Sequence, residues 1–221
     1  MTTAPSALQL EGIAHAMAEA ERMKPVLATL SHTFAPGHFH VVGGPSGAGK
    51  TTLLSILALA IRATSGAVIW GGEELSAMSP QRQTAWRRAN LGMIFQTSRL
   101  VAVMTVAEHI TLAATIRRQP AAVPRGTALL ERLGMADKRH QLPAQLSGGE
   151  KQRVAIAQAL SAEPPVLLAD EPTAALDAAN AELVAQTLRQ YARTRGAVVI
   201  CVSHDRTVIE AADTILMLER P

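Results

Sequence analysis

The sequence predicts an α/β fold in which helices flank a mainly parallel sheet. The first observation is that short apolar runs alternate with segments of helical periodicity along the 221 residues. The second is a mostly helical stretch, about residues 97–162, which lies between two of these runs and predicts a helical insertion. The predicted strands are residues 8–11, 39–43, 67–70, 91–95, 166–169, 197–202 and 214–218. We expect residues 1–221 to form a single domain, because their number fits one core.

Composition excludes several classes of protein. Hydrophobic residues make up 48% and charged residues 18%, which is typical of a globular chain and not of a disordered one. The net charge of +3 is too small to indicate a nucleic-acid partner, and we expect none. The single cysteine, Cys201, excludes an intrachain disulfide framework. No apolar stretch reaches the roughly 18 residues that a membrane-spanning helix needs.

A glycine-rich loop between the strand at 39–43 and a predicted helix at 50–61 is the first candidate site. It matches the pattern G-x-x-x-x-G-K-[ST], in which glycines let backbone N–H groups wrap around a phosphate. The positive end of the helix dipole adds to this attraction. Lys50 would reach the β- and γ-phosphates, and the hydroxyl of Thr51 would bind Mg²⁺. The predicted nucleotide ligands are Gly44, Pro45, Ser46, Gly47, Ala48, Gly49, Lys50 and Thr51.

Two carboxylates follow the predicted strand at 166–169. Ligands of open α/β sheets lie beyond the carboxyl ends of the strands, so Asp170 and Glu171 are expected near the phosphate loop. Asp170 suits the shell of a magnesium ion. Glu171 suits a general base that polarises the attacking water.

A second glycine motif, Ser147, Gly148 and Gly149, precedes a predicted helix at 154–160. A helix that starts with serine and two glycines offers a second anion-binding end. The alternative is an ordinary N-cap turn with no ligand.

The order of these motifs closely resembles the ATP-binding subunit of ABC (ATP-binding cassette) transporters. The phosphate loop, Gln96, the LSGGE run, the DEPT run and His204 follow one another as in that family. The resemblance covers about residues 8–218. It implies a P-loop NTPase core with a mainly parallel sheet, an N-terminal antiparallel β subdomain and an inserted α-helical subdomain. It also implies ATP and Mg²⁺ as cofactors.

The resemblance further implies roles for individual residues, and it extends the nucleotide-binding loop to Thr52. Gln96 would contact Mg²⁺ or the attacking water, and His204 would contact the γ-phosphate. Ser147, Gly148 and Gly149 would bind the γ-phosphate of an ATP held by a second copy of the chain. Asp177 would lie in the segment that crosses the dimer interface.

One expected residue is missing from the resemblance. The family commonly has an aromatic residue after the first strand, which stacks on adenine, and Met17 stands at that place here. Methionine can cover a ring by dispersion and sulfur–aromatic contact. We therefore expect ATP binding with weak selectivity for the base.

The predicted function is ATP hydrolysis by a head-to-tail dimer that drives a separate membrane permease. The resemblance is to cassettes of lipoprotein-release and macrolide-export machines, so we expect an exporter or an extracting machine. It would dock on the cytoplasmic face of the inner membrane, through a groove near residues 96–106. The alternating apolar positions there could equally belong to the core of the helical subdomain. One alternative is an ABC ATPase that drives a membrane regulator without moving a substrate. A second is a DNA-repair or translation ABC protein, which usually has coiled-coil insertions or two cassettes, and neither is present here.

Overall fold

The computed structural model describes residues 6–19 and 22–221. Its strands are β1 Leu8–Glu19, β2 Arg22–Phe34, β3 Phe39–Gly43, β4 Ser65–Trp70, β5 Glu73–Glu74, β6 Leu91–Ile94, β7 Val166–Asp170, β8 Val198–Val202 and β9 Thr214–Met217. Its α-helices are α1 Lys50–Leu57, α2 Pro80–Asn90, α3 Val106–Arg117, α4 Ala122–Arg132, α5 Gly148–Ser161, α6 Ala178–Arg195 and α7 Arg206–Ala211. Two 3₁₀ turns, Ala136–Lys138 and Pro143–Gln145, precede α5. The predicted α/β class is confirmed.

A five-stranded parallel sheet in the order β6-β7-β8-β3-β9 forms the centre of the fold. All residues of β3 and β8 are buried, which is why these strands are continuous apolar runs in the sequence. Because the strands are parallel, the segments that leave their carboxyl ends meet at one edge of the sheet.

Both faces of this sheet are covered by apolar side chains. On one face, Ile200 of β8 belongs to a buried cluster with Leu53 and Leu57 of α1. On the other face, Val199 belongs to a cluster with Leu188 of α6. Adjacent residues of β8 therefore contact opposite layers, as the two-residue period of a strand requires.

A second sheet, in the order β2-β1-β4-β5, is antiparallel and confirms the predicted N-terminal β structure. The prediction was wrong in detail, because the strand expected at 8–11 runs to Glu19 and pairs with β2, which was not predicted. Most residues of β2 are exposed, and β1 contains irregular pairing between Leu10 and Ala16. Both features remove the regular alternation of apolar and polar residues on which strand prediction depends.

Helices α3, α4 and α5 lie between β6 and β7, within the stretch predicted to be helical. Helix α1 ends four residues earlier than predicted, before Leu59 takes a left-handed φ of 53°. Helix α2 was not predicted, because Trp86 is its only buried residue and no apolar stripe marks it. Within residues 6–19 and 22–221, no helix has the length and hydropathy required to cross a membrane.

Candidate nucleotide site

The predicted phosphate loop, acidic pair and histidine meet at one edge of the parallel sheet. Strands β7, β8 and β3 are neighbours. Asp170 is the last residue of β7, His204 lies two residues after β8, and the glycine loop leaves β3. Gln96 lies two residues after β6, which pairs with β7, and is exposed. The fold therefore brings these predicted residues to a common edge.

The conformation of the glycine loop requires glycine at two of its positions. Gly44 has φ of 139° and Gly49 has φ of 85°, and both values lie where other residues are strained. A Cβ atom on Gly44 would lie 2.5 Å from the carbonyl oxygen of Leu218. One on Gly49 would lie 2.4 Å from the carbonyl oxygen of Val26. Neighbouring backbone on both sides thus packs the loop tightly onto the two sheets.

Helix α1 begins directly from this loop. Gly49 is its N-cap and makes no side-chain capping bond, so no side chain competes for the N–H groups of the first turn. The Nζ atom of Lys50 donates to the carbonyl oxygens of Gly44, at 2.8 Å, and Pro45, at 2.9 Å. The ammonium group is therefore folded back over the loop. The remaining predicted ligands of this segment are Ser46, Gly47, Ala48, Thr51 and Thr52, of which only Ala48 is buried.

Asp170 lies in an environment that disfavours its charged form. Partial burial raises its pKa above the ordinary value of 3.8, and the neighbouring charge of Glu171 raises it further. Lys50 acts in the opposite direction but does not cancel these effects. Two close carboxylates with too little positive charge beside them suit a divalent cation. The donor set of Asp170 and the Thr51 hydroxyl consists of the oxygen ligands that Mg²⁺ prefers.

Glu171 is held by residues that follow β8. Its N–H donates to the carbonyl oxygen of Val202 at 2.9 Å, although its φ of 44° is unusual for a residue with a side chain. His204 donates from Nδ1 to Oε1 of Glu171 at 2.7 Å, and the Ser203 hydroxyl donates to Oε2 at 3.3 Å. Both carboxylate oxygens are therefore held, and the residue most favoured as a general base is oriented by two neighbours.

Ser203, Thr173 and Asp205 were not predicted as site residues. The Thr173 hydroxyl donates to Oδ2 of Asp205 at 2.8 Å, which ties the segment after Glu171 to the segment after His204. Asp205 is also the N-cap of α7. The available signal in the sequence was that Ser203 and Asp205 flank His204 just after a predicted strand.

Ser147 is the N-cap of α5 and forms a capping box with Glu150. Its hydroxyl accepts from the Glu150 N–H at 3.2 Å, and its own N–H donates to Oε2 of Glu150 at 2.7 Å. These bonds lower the pKa of Glu150, and Lys138 lies 3.8 Å from its other oxygen. The helix begins at Gly148, six residues before the predicted start, because Ser147 caps it there.

The segment around Asp177 packs against this helix start. A Cβ atom on Gly149 would lie 3.1 Å from the carbonyl oxygen of Ala175. Asp177 is the N-cap of α6 and accepts bonds from the N–H and the side-chain amide of Asn180, which also accepts from Arg153 of α5. In the described residues, no hydrogen bond or ion pair joins Ser147, Gly148 or Gly149 to the glycine loop. Among these residues, the two predicted anion sites therefore share no polar contact.

Met17 lies near the glycine loop on the antiparallel sheet. It is 57% exposed and pairs with Lys24 of β2, two residues from Val26, whose carbonyl oxygen packs against Gly49. An exposed apolar side chain at this position is compatible with covering a nucleotide base.

Comparison with known proteins gives a consistent result. The sequence model of the ABC transporter family matches residues 27–174. The ATP-binding protein HrtA of Staphylococcus haemolyticus, which is named for hemin import, is 37% identical over 216 residues, covering 96% of this chain and 97% of HrtA. An uncharacterized ABC transporter ATP-binding protein of Mycobacterium tuberculosis is 36% identical over 216 residues, covering 96% of this chain and 86% of that protein.

Solved structures agree in fold. The dimeric structure of MJ0796, a bacterial ABC transporter cassette, superposes with a TM-score of 0.88 at 29% identity, covering 96% of this chain and 94% of that one. A dimeric post-hydrolysis state of MJ0796 with ADP and Pi has a TM-score of 0.84 at 30% identity, with the same coverage of both chains.

Proposed function

The chain belongs to the ABC transporter family, and from that premise we propose that it is the ATP-hydrolysing subunit of a transporter whose membrane-spanning permease is a separate chain. Members of this family are ATPases that bind ATP with Mg²⁺. The observation that carries the proposal is the convergence of Lys50, Asp170, Glu171 and His204 on the edge where the phosphate loop lies.

Each of these residues has a chemical task in the proposed reaction. The N–H groups of the glycine loop hold the phosphates, and Lys50 exchanges the carbonyl oxygens of Gly44 and Pro45 for phosphate oxygens. Glu171 accepts a proton from the attacking water, while His204 holds the carboxylate and contacts the γ-phosphate. Thr51, Asp170 and Gln96 hold Mg²⁺, which when bound neutralises charge on the β- and γ-phosphates.

We propose that Ser147, Gly148 and Gly149 act on the ATP of a second copy. In support, this segment packs against residues near Asp177 of its own chain and makes no polar contact with its own phosphate loop in the described residues. The MJ0796 structures are also dimeric. A two-fold dimer would bring each helix start of α5 to the partner's phosphate loop and form two composite ATP sites.

Mixing two inactive variants tests this arrangement. Lys50→Ala damages the phosphate loop, and Ser147→Arg damages the start of α5, so each variant alone should have little activity. An equimolar mixture forms mixed dimers with one intact composite site. It should therefore recover up to about a quarter of wild-type hydrolysis if the sites act independently. A mixture that stays at the level of the separate variants and also forms no dimer with ATP would count against the composite site.

A groove beside Gln96 is the proposed docking place for the permease. It has a volume of about 220 Å³, and Phe95, Arg99 and Leu100 line it together with Ile116 and Arg117 of α3. Apolar side chains together with the cation of Arg99 suit a short helix with an apolar anchor and an acidic residue. Val103, which is 82% exposed, lies on the segment that leads from the groove. Val103→Asp should weaken co-purification with the permease, and Ile61→Asp, in a different surface pocket, should not.

We further propose that the cassette lies on the cytoplasmic face of the inner membrane, bound through its permease, and powers export or extraction. The resemblance to lipoprotein-release and macrolide-export cassettes supports this direction, although HrtA is named for hemin import. Co-purification should identify the permease, and transport by the reconstituted complex would give the direction. ATP hydrolysis without substrate movement would instead favour the regulator alternative.

A further inference from the structure

A buried amide connects helix α5 to the segment that carries Gln96. Gln152 lies five residues after Ser147 and is only 2% exposed. Its Nε2 atom donates to the carbonyl oxygen of Phe95 at 3.0 Å, across 57 residues of sequence. Because a buried amide is shielded from water, removing it would take away the hydrogen bond that this carbonyl oxygen accepts.

The bonded carbonyl belongs to the peptide group between Phe95 and Gln96. A peptide group is planar, so its carbonyl oxygen and the N–H of the next residue rotate together. The hydrogen bond from Gln152 therefore restrains the orientation of the backbone from which the Gln96 side chain projects. Gln96 itself is exposed, and its backbone follows directly from this peptide group.

The other side of Phe95 faces the proposed docking groove. The guanidinium carbon of Arg99 lies 4.3 Å from the centre of the Phe95 ring, and both residues line the groove. Phe95 thus contacts α5 through its carbonyl oxygen and the groove through its ring. Movement of α5 or of the residues that line the groove would therefore change the orientation of the peptide group that precedes Gln96.

We propose that Gln152 is a positioning residue that couples the start of α5 to Gln96. The inference rests on the proposed function. There, Ser147 contacts the ATP of the partner, and Gln96 acts at the ATP bound by its own chain. The bond between Gln152 and Phe95 then joins the two ATP sites within one protomer. Closure of the dimer on Ser147 orients Gln96 for hydrolysis at the other site.

A double-mutant cycle tests this coupling. Gln152→Met keeps the length of the side chain and removes the donor. It should lower kcat for ATP about tenfold and leave the dissociation constant of a fluorescent ATP analogue within about twofold. In a Gln96→Ala background the same substitution should change kcat less than about twofold, because the residue through which it acts is gone. Gln83→Met is the matched control, since Gln83 donates an equivalent bond to the carbonyl oxygen of Leu75 at 3.1 Å, away from the site.

Each outcome decides the inference. Equal losses of kcat in both backgrounds, or equal losses for Gln152→Met and Gln83→Met, would overturn it. If Gln152→Met and the shorter Gln152→Asn both fail to bind nucleotide, the amide is needed for folding and the inference is also wrong. If the wild-type protein hydrolyses ATP but the two substitutions have additive effects on kcat, the coupling is rejected and the proposed function is not. If the wild-type protein does not hydrolyse ATP, the proposed function is rejected.

Discussion

The imidazole of His204 donates from Nδ1 to Oε1 of Glu171 at 2.7 Å, and Glu171 makes this contact from a left-handed backbone with φ of 44°. A side chain in that conformation is strained, and such strain concentrates at functional sites. The segment after β8 therefore orients the residue that we assign as general base.

His204→Ala should lower kcat by about 100-fold, because Glu171 loses the partner that holds its carboxylate. Binding of ATP should change little, since the phosphate loop is untouched. Steady-state hydrolysis and equilibrium nucleotide binding measure the two effects. His38→Ala is the control, because His38 is exposed and its Nδ1 bonds to the nearby carbonyl oxygen of Pro36. Equal activities of the two variants would remove His204 from the reaction.

Two glycines of the phosphate loop should respond differently to alanine. Gly47 and Gly49 both have positive φ, so either substitution should cost about 1 kcal/mol or more in free energy of unfolding. Only Gly49→Ala also places a Cβ atom 2.4 Å from the carbonyl oxygen of Val26, whereas the space beside Gly47 is open. Urea unfolding should therefore show a loss about 2 kcal/mol larger for Gly49→Ala. Similar losses would contradict the packing of the loop on β2.

Asp170→Asn should stabilise the protein in the absence of nucleotide and Mg²⁺ while abolishing most hydrolysis. Burial, together with the charge of Glu171, raises the pKa of Asp170 in the folded chain. Below the ordinary value of 3.8 the carboxyl is protonated in both states, and it imposes no penalty on folding. As pH rises through the folded-state pKa, the wild type loses stability that the asparagine variant keeps. The Tm of the variant should thus exceed that of the wild type at neutral pH and approach it near pH 4.

The predicted site residues and the predicted elements of the fold rest on different signals in the sequence. Binding of phosphate and Mg²⁺ needs particular residue types at particular spacings. Gly44, Lys50 and Asp170 can therefore be proposed from the sequence alone. Strand β2 does not, because most of its side chains are exposed and lack an alternating pattern. Helix α2 could not be predicted for the same reason, because Trp86 is its only buried residue. Elements that bury little leave a weak periodic signal.

Contacts between distant segments could not be predicted from the sequence either. Gln152 and Phe95 are 57 residues apart, and only the packing of α5 beside β6 brings them together. The bond from the Glu171 N–H to Val202 likewise depends on the neighbouring strand, which the local sequence around Glu171 does not reveal.

Met17→Tyr should increase the affinity for ATP and the preference for adenine. An aromatic ring at this exposed position would stack on the base and tighten ATP binding by about fivefold. In the wild type, GTP should compete with ATP at less than a hundredfold excess, and a greater requirement would contradict the weak selectivity we expect. Met23→Tyr is the matched control, since Met23 is equally exposed on the same hairpin. Equal gains in both variants would show that the base does not contact Met17.

The most direct test of the central claim is the mass of Glu171→Gln in solution with ATP. Glutamine preserves the shape of the site but cannot accept the proton of the attacking water, so hydrolysis should fall by at least about 100-fold while ATP stays bound. Light scattering should then show an ATP-dependent increase from the 23.4 kDa of one chain to twice that mass, and adding Ser147→Arg should prevent it. A Glu171→Gln protein that binds ATP yet remains at 23.4 kDa would contradict the composite site.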